Sequence, residues 1–469
     1  MLGGIDINTS GVNHETSGDS FATGNIWALI AKYSIPAVVS GLVGSLYNIV
    51  DQIFIGRGLG YLGMAATNVA FPFTTICLAL ALTFGVGGAV NMNLLLGKGE
   101  SEKARSFAGN TIFLSAASGV FIALVSLVFL EPLLSIFGAT EATMGYTKEY
   151  AAITALGFPF FIFSIVAGKL IRSDGSPIFS MVCVLSGAVF NCIGTPIFIF
   201  VLGMGIKGAA LATVLGQALS SSLALYYFAK KARVIKLNKQ YLKPMAGFTG
   251  LIVLSGVAPG INQIAVTFIQ IALNNLLTYH GQFTSYGSDL PLAAAGATTK
   301  VFAIFFTLVL GVAQGCQPII GFNYGAKNYG RVKEIYGKAA ITVFLISLPV
   351  LVCFQLFPTF VLSVFGTDSE AFYEFGSRFL RINFMMLPLI AVQVVTANFF
   401  VTIGKPLLGL VMTISRQLAL LLPLMFIFSH IIGLNGILYA GPVADMTAFI
   451  ITAVFIAREM GQISEKIKK

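Results

Sequence analysis

Residues 134–138 read LSIFG, and residues 362–366 read LSVFG. One such pair carries little weight alone, but the displacement returns along the chain. Gly175, Ser176 and Pro177 match Gly404, Lys405 and Pro406; Pro159 matches Pro388; GIKG at 205–208 matches GLNG at 433–436, each 228 or 229 residues on. Pro36 and Pro259, 223 apart, align the beginnings. Ordered matches at one displacement imply an internal duplication, so the fold question becomes what each half builds.

The composition answers it. The 469 residues are 57% hydrophobic and 10% charged, with a mean hydropathy of +0.89. A soluble chain of this size needs far more polar cover. The apolar runs are long and continuous rather than alternating, which excludes a β-barrel and leaves helices of roughly 20 residues or more crossing a bilayer. Runs bounded by Gly, Pro and charge predict twelve helices, at 28–56, 64–96, 106–130, 146–171, 178–202, 207–229, 246–279, 292–322, 335–357, 372–400, 407–431 and 435–457. Each repeat holds six, an even number, so both halves enter the membrane in the same sense. The expected fold is an all-α polytopic membrane protein of two six-helix bundles related by a pseudo-twofold axis along the membrane normal. The divisions expected are a disordered tail (1–24), an N-lobe (25–229), a linker (230–244), a C-lobe (245–460) and a second tail (461–469).

The net charge of +10 would raise nucleic acid in a soluble protein. Here the Lys and Arg gather in alternate loops, at 98–105, 172–177, 230–243, 325–333, 404–406 and the C-terminal KIKK, which makes those loops and both termini cytoplasmic. Cys77, Cys183, Cys192, Cys316 and Cys353 fall in apolar segments without CxxC spacing and read as small core residues. His14, His280 and His430 do not cluster, so no metal is assigned. No GxxxxGK[ST] loop, Ser-His-Asp set or HExxH motif supports an ATPase or an enzyme.

Against this apolar background the polar residues of the helices stand out. Gly44, Tyr47, Asn48 and Asp51 share one face of the first helix. A mid-membrane carboxylate costs about 2.5–3.5 kcal/mol on insertion scales, so Asp51 must face protein or water and reads as functional. The seventh helix carries Gln263, Thr267, Gln270 and Asn274 as one stripe, with Asn274 the repeat partner of Asp51. The two faces are expected to line one aqueous cavity between the lobes; interhelical hydrogen bonding, worth under ~1 kcal/mol each, is the plainer alternative for the amides. Asn191 and Thr195, Thr213 and Gln217, and Gln314 and Gln317 form further same-face pairs. Asp445 is the other acid inside a span and the repeat partner of Gln217. Pro36 and Pro259 permit kinks that could gate the opening helices. Arg172 and Asp174 are explained by turn chemistry and topology.

With these residues in view, the chain resembles the MATE (multidrug and toxic compound extrusion) family over 28–457. The resemblance is carried by YNIVDQIFIGR (47–57), GIKGAALATVLGQ (205–217) and GVAQGCQPIIGFNYGA (311–326). RSDGSP (172–177) and GPVADMTAF (441–449) look most like its MepA-type bacterial branch. The resemblance implies a multi-pass protein of the bacterial inner membrane that takes part in antibiotic resistance. It would export small cationic amphipathic compounds in exchange for inward H⁺ or Na⁺, by rocking of the two lobes. No cofactor beyond the coupling ion, no nucleic-acid partner and function as a monomer are expected. Carried over, the N-lobe cation site consists of Asp51, Asn191, Thr195 and Thr213, with Na⁺ at Asp51, Asn191 and Thr213 if sodium is the ion. Thr195 stands where the family pattern Asn-x-x-x-Asp-Pro has an acid, so the site has one carboxylate; that weakens Na⁺ binding and still serves a proton. The expected cavity residues are Tyr47, Asn48, Gln217, Gln263, Gln270, Asn274, Gln314 and Asp445. A flippase for lipid-linked saccharides, of the same superfamily, would instead need cations in the cavity, for which Lys169, Lys300, Arg381 and Arg416 are the candidates.

Overall fold

The computed structural model describes residues 17–235, 240–365 and 369–468. Twelve membrane-spanning elements follow in order: α1 Ile26–Gly60, α2 Leu62–Gly97, α3 Ser101–Val128, α4 Glu141–Ser173, α5 Pro177–Val201, α6 Gly205–Lys231, α7 Ala246–Gly281, α8 Asp289–Gly325, α9 Tyr329–Leu356, α10 Glu370–Asn383 with Leu387–Thr402, α11 Pro406–Ile432 and α12 Leu434–Lys468. The α1–α2 turn passes through Gly60 at φ 67°, which a side chain would strain. Large apolar side chains such as Phe121, Val201 and Phe360 point outward and stay exposed, as a bilayer-facing surface requires.

Three elements differ from expectation. α10 is bent by 51° between its two segments. Pro388 is the second residue of the second segment; it has no N–H to bond the carbonyl of Phe384, and its ring would clash there in a continuous helix. Its repeat partner Pro159 lies inside the unbroken α4. α12 continues through the expected tail to Lys468, burying Glu459 and Ile463. The expected disordered tail is also corrected at its end: Ser17–Thr23 form a short helix. Phe21 is buried there against Tyr33 and Phe322, and its carbonyl accepts from Asn323 Nδ2 at 3.0 Å and Arg331 Nε at 2.9 Å. Residues 1–16 of the tail, 236–239 of the linker, 366–368 of the α9–α10 loop and the terminal Lys469 lie outside the described residues.

The inter-lobe linker is strapped to the N-lobe. Asp174 is fully buried; its carboxylate accepts from Tyr227 Oη at 2.7 Å and from the backbone N–H groups of Arg233 (2.7 Å), Val234 (2.8 Å) and Ile235 (3.2 Å). Arg105 Nε donates to the Val234 carbonyl at 3.1 Å.

The lobes meet backbone to backbone at the face that carries both termini. A Cβ on Gly256 would stand 1.7 Å from Thr83 O, one on Gly87 1.9 Å from Ile252 O, and one on Gly315 2.6 Å from Ser34 Cα. Small residues allow this approach, and the gain is van der Waals contact and polar pairing rather than hydrophobic burial. Asn91 Nδ2 adds a bond to Ser255 Oγ across the seam at 3.0 Å. Toward the opposite face, Leu46, Ile49 and Ile53 of α1 and Ile264, Phe268 and Ile271 of α7 are exposed. The lobes are sealed at the terminal face and splayed beyond it.

Candidate functional site

A cleft of about 480 Å³ lies above the seal. Its wall is almost wholly N-lobe: α1, α2, α4, α5 and α6 supply it, and the C-lobe adds only Thr307, Leu310, Gly311 and Gln314 of α8. Tyr47, Asn48, Asn191, Thr213, Gln217 and Gln314 are all on this wall.

Asp51 sits one turn beyond Tyr47 on α1, 7% exposed, behind the wall rather than on it. Thr195 Oγ1 donates to Asp51 Oδ1 at 2.8 Å. Asn191, one turn earlier on α5, donates Nδ2 to Thr213 Oγ1 at 3.1 Å, and Thr213 in turn donates to the Ala209 carbonyl. The spacing of Asn191 and Thr195 places them one above the other on α5, and α5 passes into a π-helical segment at Ile197–Val201 directly after Pro196. Asn191 Oδ1 is buried without a partner. A carboxylate, two hydroxyls and an unfilled amide oxygen thus gather within one group. An all-oxygen set suits a proton or a hard cation. The small cluster of Ile55, Ile199 and Ala209, with Tyr150 against it, packs beside this group; Tyr150 carried no signal in the sequence.

Other expected cavity residues lie elsewhere. Gln263, Gln270 and Asn274 are off the cleft wall, and Gln270 Nε2 bonds Asn274 Oδ1 at 2.9 Å within α7. Periodicity placed them on one face; the splay of the lobes takes that face away from the enclosed cleft. Gln317 turns into the C-lobe and bonds Asn398 Oδ1 at 3.0 Å. Asp445 is also corrected: it is 3% exposed and pairs with Arg416, Nε to Oδ1 at 2.6 Å, inside the C-lobe. Pro36 and Pro259 both lie within continuous helix, and Ser40 Oγ donates to the Pro36 carbonyl at 2.7 Å.

Of the four cations whose depth the sequence left open, Lys169 alone reaches the cleft; Lys300 and Arg381 are exposed away from it. The sequence reading missed Arg172, which leaves its turn and joins Lys169 on the wall. Lys169 Nζ and Arg172 Nη2 both reach Gln314 Oε1, at 3.3 and 3.4 Å. Among the described residues, no three His, Cys, Asp or Glu side chains converge as a metal site.

Two six-helix lobes around a cleft, with Asp51 buried behind its wall, have the architecture of a membrane transporter. The MatE family model matches residues 36–197 and 261–427, and the chain belongs to that family of transporters, the MATE family. The Multidrug export protein MepA of Staphylococcus aureus (strain N315) is 24% identical over 425 residues, covering 91% of this chain and 92% of that protein. MepA of Staphylococcus haemolyticus (strain JCSC1435) is 24% identical over 436 residues, with 93% and 94% covered. Among solved structures, the MATE multidrug transporter DinF-BH, in complex with a small organic compound, is 34% identical over 92% of this chain and 95% of that one, with a TM-score of 0.84. A MATE in a bent conformation is 25% identical over 96% and 99%, with a TM-score of 0.88.

Proposed function

We propose that this protein is a secondary active multidrug antiporter of the bacterial inner membrane, exporting amphipathic organic cations in exchange for inward H⁺ or Na⁺. With both termini cytoplasmic, the sealed face is the inner one and the cleft opens outward. The carrying observation is Asp51, held by Thr195 beside the unfilled Asn191 Oδ1 and directly behind the cleft wall. With Asp51 ionised, a cationic compound is attracted to the wall at Tyr47, Asn48 and Asn191. Proton or sodium arriving from outside neutralises Asp51, removes that attraction and favours release outward; α1 flexes at Pro36 and α7 at Pro259 as the lobes rock back. The names of the relatives, multidrug export proteins and a multidrug transporter solved with a bound organic compound, support the substrate class. The flippase reading is not favoured, because the relatives are named multidrug export proteins and a multidrug transporter.

The test is efflux of a cationic dye from proteoliposomes under separately imposed H⁺ and Na⁺ gradients. One gradient should drive efflux and Asp51→Asn should abolish the coupled component. Wild-type efflux by Asp51→Asn would refute the assignment of Asp51.

A further inference from the structure

The closed end of the cleft holds two cations that the cation-export reading leaves unused. Lys169 and Arg172 lie one turn apart on α4, 4% and 9% exposed. Among the described residues neither makes an ion pair with a carboxylate. Beyond Gln314, Arg172 Nη1 reaches only Ser180 Oγ, at 3.3 Å. These contacts lie at or beyond the long end of the N–H···O range, and two charges share one neutral amide oxygen. The acid nearest in sequence, Asp174, is engaged by Tyr227 and the linker backbone. The position is also shaped for Lys169: a Cβ on Gly85 of α2 would stand 2.9 Å from Lys169 Cδ, so a larger residue would displace its stem. Buried charges are ordinarily paired, and ionisable residues inside a membrane protein face a partner or a pathway. Here the described residues supply no counter-ion, and the charges face the cleft.

We infer that Lys169 and Arg172 form an anion subsite, and that the transported class includes amphiphiles bearing an acidic group such as a carboxylate or sulfonate. The inference rests on the efflux reading of the same cleft and narrows its substrate. The acid replaces Gln314 Oε1 as acceptor for Lys169 Nζ and Arg172 Nη2, forming charge-assisted bonds in place of weak ones. Leu78, Leu82, Phe161 and Ile165 line the wall between and suit an apolar body. A zwitterion fits best, its cation toward Tyr47 and Asn191 and its anion at the seal. Gln314 belongs to the C-lobe, so the subsite lies against both lobes and senses their separation.

The test compares two probes that differ in one group: a rhodamine with a free benzoate and the ethyl ester of the same dye. Both are bound to the full-length protein and loaded into proteoliposomes for efflux. The acid should bind wild type about tenfold more tightly than the ester, the worth of one charge-assisted hydrogen bond. Lys169→Gln and Arg172→Gln should each bring that ratio to about one, and Lys169→Arg should restore it. Gln314→Leu, with both cations intact, should keep the preference. Equal binding of the two probes by wild type overturns the inference, as does a ratio unmoved by the charge-removing variants. Loss of the ratio in Gln314→Leu overturns it as well. If the ester is not exported under any gradient, the efflux reading fails instead, and the binding ratio still decides the subsite.

Discussion

Placing one methyl group at the seal should shift the protein away from the state seen here. Gly256 of α7 faces the backbone of α2, and a Cβ there would lie 1.7 Å from Thr83 O, 2.6 Å from Thr83 C and 2.9 Å from Thr83 Cα. No rotamer change relieves a clash with backbone. Ordinary contact begins at 3.4 Å, so the lobes must part locally by about 1.7 Å. Overpacking of this kind costs about 1–3 kcal/mol. The cost falls only on the state in which the terminal faces are sealed, so the ratio of sealed to parted states drops by roughly one to two decades. Gly247, on the same helix with nothing within 4 Å, is the control for the substitution itself. The assay is the labelling rate of an Asn48→Cys reporter on the cleft wall, in a chain whose native cysteines are replaced. A membrane-impermeant maleimide is added from the face away from the termini. Gly256→Ala should slow labelling severalfold and Gly247→Ala should not. Equal rates in the two variants, with both folded, would refute the argument that backbone contact at this seam sets the conformational balance.

Two further outcomes follow from buried polar contacts. Asp174→Ala strands the buried N–H of Ile235, at about 1–3 kcal/mol, and removes the acceptor of the more accessible N–H groups of Arg233 and Val234; the linker should detach and trypsin should cut within 230–244 severalfold faster, while α-helical circular dichroism is unchanged. Arg416→Leu leaves Asp445 buried and unpaired, which costs about 3–5 kcal/mol and should lower the thermal midpoint in detergent. The Arg416→Leu, Asp445→Leu pair should recover most of that loss, and a double variant no better than the single one would argue against a structural ion pair.

The fold was legible because a bilayer imposes one dominant rule: apolar runs of spanning length become helices, and charge marks their ends. Where that rule is weak, the reading failed. The bend in α10 was hidden because Pro388 and Pro159 look alike in sequence, and only packing makes one a break and the other an interior residue. The polar stretch 461–468 lacks apolar length, yet it extends α12, with Glu459 held by Lys405 Nζ at 2.5 Å and Ile463 buried. At the site, periodicity assigns a residue to a helix face but not to the neighbour that the face meets. Hence the faces of Tyr47, Asn48 and Gln217 meet the cleft, whereas those of Gln263, Gln270 and Asn274, expected there on the same grounds, do not. Asn191, Thr195 and Thr213 were grouped with Asp51 through family likeness rather than spacing. The Asp445 misplacement was avoidable: Arg416 is itself a charge inside an apolar run, and such residues pair. Arg172 had no such signal, because an arginine next to a cytoplasmic turn also satisfies the positive-inside rule.

The duplication makes the two lobes comparable position by position, and they have diverged in one direction. Asp51 of the N-lobe corresponds to Asn274, which bonds its own helix neighbour Gln270. Gln217 on the cleft wall corresponds to Asp445, which Arg416 neutralises. Gly187, 229 residues before Arg416, is on the cleft wall and packs against the Gly216 backbone, so a small-residue contact in one lobe is an ion pair in the other. At the terminal corner the same requirement is met twice by different chemistry: Asp174 gathers the linker's N–H groups after α6, and Lys405 pairs with Glu459 on the continuation of α12. In the C-lobe Asp445 is neutralised within the bundle and Asn274 carries no charge; in the N-lobe the acid keeps an unfilled acceptor beside it and, among the described residues, Lys169 and Arg172 have no carboxylate partner. Buried charges without a partner have free energy to gain from a bound cation or anion. That asymmetry puts the ligand-dependent contribution on the N-lobe and makes Gln314 of α8 the C-lobe side chain through which occupancy of the closed end can reach the other half.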